Sequence, residues 1–205
     1  MLLDFKNLYE KYNMNVRGVL HIGAHYGEEH NIYKNFGIPN IAYFEPLIKN
    51  FNVLKQNIKD ESLLFNFALG NQNKKIEMFV ESANNGQSSS ILEPKIHLSQ
   101  YPHIVFNQKE IVEMKRLDDL DINLSDFNLI NIDVQGYELE VFKGSEKTLE
   151  SIDYIISEIN RDEVYHGCAK IDELIDFLSL FGFELVEENW AGNTWGDGFF
   201  IKNKK

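Results

Sequence analysis

A single cysteine, Cys168, is present, which excludes an internal disulfide and a thiolate metal cluster within one chain. His166 lies two residues away as a candidate activating base, but one isolated cysteine reads more simply as a packing residue. Basic residues are scarce: 20 Lys and Arg stand against 32 Asp and Glu, a formal net charge of -12. A surface that tracks nucleic-acid phosphates is therefore not expected, and a polyanionic acceptor would approach against repulsion. No apolar run approaches bilayer-spanning length, and the opening Met1-Leu2-Leu3-Asp4-Phe5-Lys6 lacks the basic-then-apolar order of a secretion signal. The expectation is a soluble, cytoplasmic protein with no membrane partner. Internal repeats, low-complexity tracts and linkers are also missing.

What is there is ordinary for a globular chain. The 205 residues are 43% hydrophobic and 25% charged, enough to build one domain around a real core. Short β-branched or aromatic runs alternate with segments of helical period, the pattern of a wound, mostly parallel α/β sheet. The first helix is expected at Phe5 to Tyr12, a strand at Val16 to Ile22, a helix at Glu28 to Phe36 and a second strand at Ile41 to Glu45. A helix follows Pro46, then a third strand at Leu63 to Ala68. Strand-like runs at Lys75 to Val80 and Ile104 to Leu117 flank polar, aperiodic Ser82 to Ser90, so 75–115 is a candidate insertion or lid. Further expected elements are a strand at Asn128 to Asp133, one helix over Glu138 to Leu149, a strand at Ile152 to Ile159 and a helix from Ile171 to Phe181. Strands at Phe183 to Glu187 and Gly198 to Lys202 close the chain as an antiparallel pair.

The first concentration of chemistry is His21-Ile22-Gly23-Ala24-His25-Tyr26-Gly27-Glu28-Glu29, after the first strand. A ligand laid across a strand end needs backbone without a Cβ in the way, which Gly23 and Gly27 offer, and free N–H groups from the helix beyond. The spacing is G-x-x-x-G, not the G-x-G-x-x-G that seats a pyrophosphate, and Glu28 and Glu29 would repel phosphate. Glu45 ends the second strand roughly 20 residues on, where an acid in such folds accepts hydrogen bonds from ribose hydroxyls, and Pro46 fixes that strand end. The second concentration is Asn131-Ile132-Asp133-Val134-Gln135-Gly136-Tyr137-Glu138, where an apolar strand runs into polar groups. Ligands of open α/β sheets sit beyond the strands' carboxyl ends, so Asp133 and Gln135 point to the site. Glu138 reads equally as a helix-start carboxylate and as a member of the site.

Taken in order, these segments resemble the FkbM-type methyltransferases from about Val16 to Lys202. The glycine turn, Phe44-Glu45-Pro46, Asn66-Phe67-Ala68-Leu69-Gly70, Ser88-Ser89-Ser90, Lys115-Arg116-Leu117-Asp118, Ile132 to Glu138 and Lys143-Gly144 carry the resemblance. It implies a Rossmann-like class I methyltransferase fold, S-adenosylmethionine as donor, and O-methylation of a sugar, glycan or related small metabolite. It also implies that Gly23, Ala24 and Gly27 lie against the donor's methionine part, Glu45 on the ribose, Ala68 and Leu69 beside the adenine, and Asp133, Val134 and Gln135 near the transferring methyl. His21 stands where the family usually has Asp; with His25 it is counted among the donor contacts, a packed strand residue being the simpler reading of His21.

Methyl transfer to an alcohol needs alignment first and a proton acceptor second. Asp133 is the favoured acceptor, with Glu138, His25 and Glu158 as alternatives. His25, Asp133, Glu158 and His166 are ligand types for Mg or Zn, but no H-x-x-x-H spacing is present and no metal requirement is expected. The acceptor pocket is expected from Ser82 to His103, Tyr165-His166 and Trp190 to Asp197. A small-molecule or glycan acceptor is the expected partner, and the sequence admits a homodimer. The competing readings are a nicotinamide-dependent oxidoreductase, against which the glycine spacing counts, and a non-catalytic nucleoside-binding module.

Overall fold

Runs such as Gly18-Val19-Leu20-His21-Ile22 and Leu129-Ile130-Asn131-Ile132 are buried at every position, as strands covered on both faces by helices must be. The computed structural model describes residues 1–203. In chain order its first half contains α1 (Phe5–Lys11), β1 (Gly18–Ile22), α2 (His30–Asn35), β2 (Asn40–Phe44), α3 (Ile48–Asn57), β3 (Leu63–Phe65), β4 (Ala68–Leu69) and β5 (Lys74–Glu81). Then come α4 (Ile96–Gln100), β6 (Phe106–Lys115), β7 (Leu129–Ile132), α5 (Glu138–Lys143), α6 (Glu146–Leu149), β8 (Tyr154–Asn160), α7 (Ile171–Ser179), β9 (Phe183–Ala191) and β10 (Trp195–Lys202).

The main sheet has the order β3-β2-β1-β7-β8-β10-β9, with β10 antiparallel to both of its neighbours. Winding runs outward from β1 through β2 to β3, then returns to β7 on the other side of β1. That reversal leaves a crevice at the carboxyl ends of β1 and β7, where ligands bind in open α/β sheets. One face is covered by α1, α2 and α3 through Leu8, Tyr33 and Leu54, the other by α5, α6 and α7 through Phe142, Leu149 and Leu178. Each such side chain, taken fully out of water, contributes about 1.5–3 kcal/mol. A smaller sheet, β4-β6-β5, sits beside the main one and carries the 82–100 segment across the crevice.

The expected elements are present, with four departures at their boundaries, three of which follow from identifiable contacts. Helix α2 starts at His30 instead of Glu28, because Gly27 N–H donates to the Ala24 carbonyl at 2.8 Å and His30 N–H to the Gly27 carbonyl at 3.1 Å, closing turns first. The strand expected over Leu63 to Ala68 is two strands in different sheets; between them Asn66 Nδ2 donates to the Glu45 and Pro46 carbonyls, both at 2.9 Å, and turns the chain out. The single helix expected over Glu138 to Leu149 breaks at Gly144-Ser145. There the chain passes so close to Gly70 that a Cβ on Gly144 would lie 1.9 Å from the Gly70 carbonyl oxygen. Asp118 then caps the second piece, accepting from Lys147 N–H at 3.0 Å and Thr148 N–H at 2.9 Å. Finally, β9 and β10 run longer than expected, to Ala191 and from Trp195.

Candidate active site

Register alone aligns the polar ends of five strands. Ile22 pairs with Phe44 on one side and Ile132 on the other, Ile132 pairs with Ser157, and Glu158 pairs with Asp197. The next residues therefore form a row across the sheet: Glu45, Gly23, Asp133, Glu158, Asp197. Gly23 is the crossing point of that row. Its φ is +80°, and a Cβ there would fall 1.9 Å from the Asp133 carbonyl oxygen, so a side chain is excluded on two counts. The N–H groups of Gly23 and Ala24 both donate to the Phe44 carbonyl at 3.0 Å, which fixes the glycine turn to the end of β2.

Glu45, 5% exposed, binds both flanking segments: Oε2 accepts from His25 N–H at 3.0 Å and Oε1 from Leu47 N–H at 2.8 Å. Burial raises its carboxyl pKa to about 7, against the pull of those two N–H donors. Beside it lies a narrow apolar slot of about 60 Å³, walled by Phe44, Pro46, Phe67, Ala68, Leu69 and Val134 and reaching Gly23, Asp133 and Gln135. The same Gly23, His25, Asp133 and Gln135 border a second cavity of about 470 Å³, which extends over β7, β8 and β10 to Glu158, Trp195, Asp197, His97 and Tyr101. The slot and the cavity meet at Asp133.

Gln135 organises that junction. Its φ is +57°, and its Nε2 donates to Asp133 Oδ1 at 2.6 Å and to Glu158 Oε2 at 2.7 Å. Its carbonyl accepts from the Ser90 hydroxyl at 2.7 Å, and the Tyr165 hydroxyl stands 2.8 Å from both Gln135 Oε1 and the Ser88 carbonyl. The Ser88-Ser89-Ser90 stretch is thereby tied to the end of β7. Asp133 is exposed, whereas Glu158 is 4% exposed. Burial first, then the Asp133 charge, push the Glu158 carboxyl well above the ordinary range.

Other expected site residues have different surroundings. Glu138, 3% exposed, borders neither cavity; its Oε1 accepts from Val134 N–H at 3.0 Å and Gly136 N–H at 3.1 Å, which makes it a clamp on the Asp133 loop. The His25 ring is held at both nitrogens, Nδ1 by Glu28 Oε1 at 2.7 Å and Nε2 by the Asn85 carbonyl at 3.0 Å. Burial disfavours its charge, but Glu28 and Asn85 outweigh that and raise its pKa, and with both nitrogens engaged neither is free to take a proton from a substrate. His21 borders the large cavity yet is buried, with Nδ1 3.3 Å from the Tyr33 hydroxyl, and burial lowers its pKa. Gly27 packs against Leu54 and Ile58 behind the turn.

Among the described residues no three His, Cys, Asp or Glu side chains gather as a metal-binding set, and His166, of the four candidate ligands, is on the surface beside Glu163. Cys168 is buried against the Gly136 turn, and burial raises its thiol pKa, as suits a packing residue. Of the expected acceptor region, Asn84, Gln87, Ser88, His97, Tyr101, Trp195 and Asp197 border the cavity, while Trp190 lies elsewhere with the Arg161 guanidinium 3.6 Å from its ring centre. His97 and Tyr101 lie unsingled within the expected Ser82 to His103 stretch, and Asp197 entered only as the end of Trp190 to Asp197. The β10 register against β8, which brings Asp197 to Glu158, has no counterpart in local spacing.

Comparison with known proteins identifies the family and the fold. The FkbM methyltransferase domain family matches residues 21–185. The 2-O-methyltransferase NoeI of Sinorhizobium fredii (strain NBRC 101917 / NGR234) is 35% identical over 137 residues, 63% of this chain and 55% of NoeI. The chain thus spans about half the length of that relative. A candidate S-adenosylmethionine-dependent methyltransferase structure from Listeria monocytogenes superposes with a TM-score of 0.56 at 10% identity, covering 97% of this chain and 98% of its own. Sp1610 of Streptococcus pneumoniae, to which tRNA (m1A22) methylation is ascribed, superposes in its complex with S-adenosyl-L-methionine at a TM-score of 0.52, with 14% identity and coverage of 99% and 75%. At such identities these structures speak to the fold, which is that of class I methyltransferases. The chain belongs to the FkbM methyltransferase family.

Proposed function

We propose that this protein transfers a methyl group from S-adenosylmethionine to a hydroxyl of a sugar, glycan or related small metabolite. The observation that carries the reading is the row Glu45–Gly23–Asp133–Glu158–Asp197, which joins an apolar slot to a polar cavity at Asp133. The apolar walls of the slot suit an adenine ring, and the Glu45 carboxylate suits the ribose hydroxyls. The Cβ-free crossing at Gly23, with Ala24 and His25, suits the amino-acid end. Bound there, the donor supplies an electrophilic methyl on a sulfonium sulfur.

The protein's own residues have three tasks. Trp195, whose indole N–H donates to the Tyr101 hydroxyl at 2.9 Å, offers an aromatic face to a sugar ring in the cavity. Gln135 holds the Asp133 and Glu158 carboxyls at fixed separation. Asp133 then takes the acceptor's hydroxyl proton as the carbon–oxygen bond forms and the carbon–sulfur bond breaks. Glu138 positions the Asp133 loop without touching the reactants. The relative named as a 2-O-methyltransferase supports oxygen as the target. An RNA acceptor is disfavoured by the net charge of -12 and by a cavity lining that contains no Lys or Arg.

The test is transfer of labelled methyl from S-adenosylmethionine to a panel of methyl glycosides, read as product and as S-adenosylhomocysteine released. Methylated glycoside is expected. Donor binding without turnover on any alcohol would leave a binding module, and tight binding of NAD in place of the donor would leave an oxidoreductase.

A further inference from the structure

The large cavity is predominantly acidic, and the cationic groups on it are matched by its own carboxylates. Its lining includes the acidic side chains Glu28, Glu29, Asp133, Glu158 and Asp197 and no Lys or Arg, and the Met1 ammonium that also borders it stands 4.0 Å from the Glu29 carboxylate. Basic residues adjacent in sequence to its walls are turned to other partners: Lys95 pairs with Glu163, and Arg161 lies over Trp190 and reaches Glu188 at 3.4 Å. The raised-pKa ring of His25 is already matched by Glu28. Nor does a helix start offer free N–H groups to an anion here, because Glu28 and Glu29 occupy the entry to α2. Phosphate or carboxylate recognition needs one of these devices.

The lining does offer neutral hydrogen-bonding groups. His97, 4% exposed, has no hydrogen-bond partner at either ring nitrogen among the described residues, and its Nδ1 is fully buried and unsatisfied. Burial lowers its pKa, so the ring is uncharged at neutral pH. An uncharged imidazole donates at one nitrogen and accepts at the other, which matches a hydroxyl. A side chain so buried and unpartnered beside a cavity points to a ligand that completes it.

We infer that the acceptor cavity takes a sugar unit bearing no anionic group, with His97 as one of its hydroxyl contacts. The inference rests on the sugar reading above and narrows it. Methylation then acts on a neutral glycoside, downstream of the glycosyl transfer that consumes a phosphate-activated sugar, and not on the sugar nucleotide or sugar phosphate itself.

The full chain, saturated with S-adenosylhomocysteine, is titrated with methyl glycosides of hexoses and 6-deoxyhexoses, each beside its uronate and its 1-phosphate. The neutral member of each set is expected to bind at least tenfold tighter than either anion, the gap narrowing as salt is raised. Glu29→Gln is expected to shrink the gap by strengthening the anions, and Asp197→Asn to do the same if its loss of the Leu2 and Leu3 N–H contacts leaves the fold intact. Loss of neutral-glycoside affinity in His97→Phe, with donor affinity retained, is expected as well. Anions that bind as tightly as neutral sugars overturn this inference and leave the sugar reading standing. Failure of every sugar to bind, with S-adenosylhomocysteine bound, overturns both.

Discussion

Replacing Glu45 by Gln isolates one buried charge at the proposed donor site. The carboxyl pKa is about 7 in the fold against 4.5 for an ordinary glutamate, so ionising it inside the protein costs about 3 kcal/mol, at about 1.4 kcal/mol per tenfold change in proton affinity. The sign follows from the raised value. The stability contribution is fully present below about pH 4.5 and is lost as pH rises through about 7, so the variant gains on the wild type by about that amount between pH 4.5 and pH 8. Donor affinity moves the other way. At pH 8 the ionised wild-type carboxylate offers charge-assisted acceptors to the ribose, and losing them costs about 2 kcal/mol, roughly thirtyfold in Kd. At pH 5.5 the wild-type carboxyl is protonated and the gap closes to a few-fold. Calorimetric titration with S-adenosylhomocysteine at the two pH values, wild type beside variant, reads this difference and cancels most of the contribution of His25. A wild-type advantage that is equal at both pH values, or absent, would refute the argument.

Asp133→Asn should lower turnover roughly 100- to 10,000-fold with S-adenosylhomocysteine affinity changed only slightly, as loss of a proton acceptor requires; full turnover would remove Asp133 from that role. His25→Ala removes the link between Glu28 and Asn85, so faster amide exchange across 82–90 and a weaker donor Kd are expected. In the wild type that link depends on the protonated ring, so exchange across 82–90 should also quicken as pH rises through the raised pKa. Gly144→Ala sets a methyl against the Gly70 carbonyl at 1.9 Å, for an expected loss of about 3 kcal/mol. Calorimetry should show Tm lower by about 6–12 °C, with donor affinity at low temperature little changed.

The fold was legible because its strands are covered on both faces and read as unbroken apolar runs, while helices α3 and α7 show their apolar stripe. Boundaries failed where one long-range contact overrides local preference. Asn66 reaches back to the Glu45 and Pro46 carbonyls and splits a strand, and the approach of Gly70 to Gly144 splits a helix. The Asp133 and Gln135 placement and the glycine turn were visible because motif and strand end coincide in sequence. Glu138 was ambiguous for a physical reason: a carboxylate at a helix start can face a site or clamp the preceding loop, and only the hydrogen bonds from Val134 and Gly136 distinguish the two. His97 was hidden in a segment with no periodicity, and Asp197 in a strand whose register is set by pairing alone.

The most direct test of the proposed donor site is calorimetric titration of the purified protein with S-adenosylhomocysteine beside Gly23→Val, with folding of the variant checked by circular dichroism. Micromolar binding by the wild type, abolished when a side chain is forced against the Asp133 carbonyl, is the predicted result. Absence of binding by folded wild-type protein, or undiminished binding by the folded variant, would contradict the account.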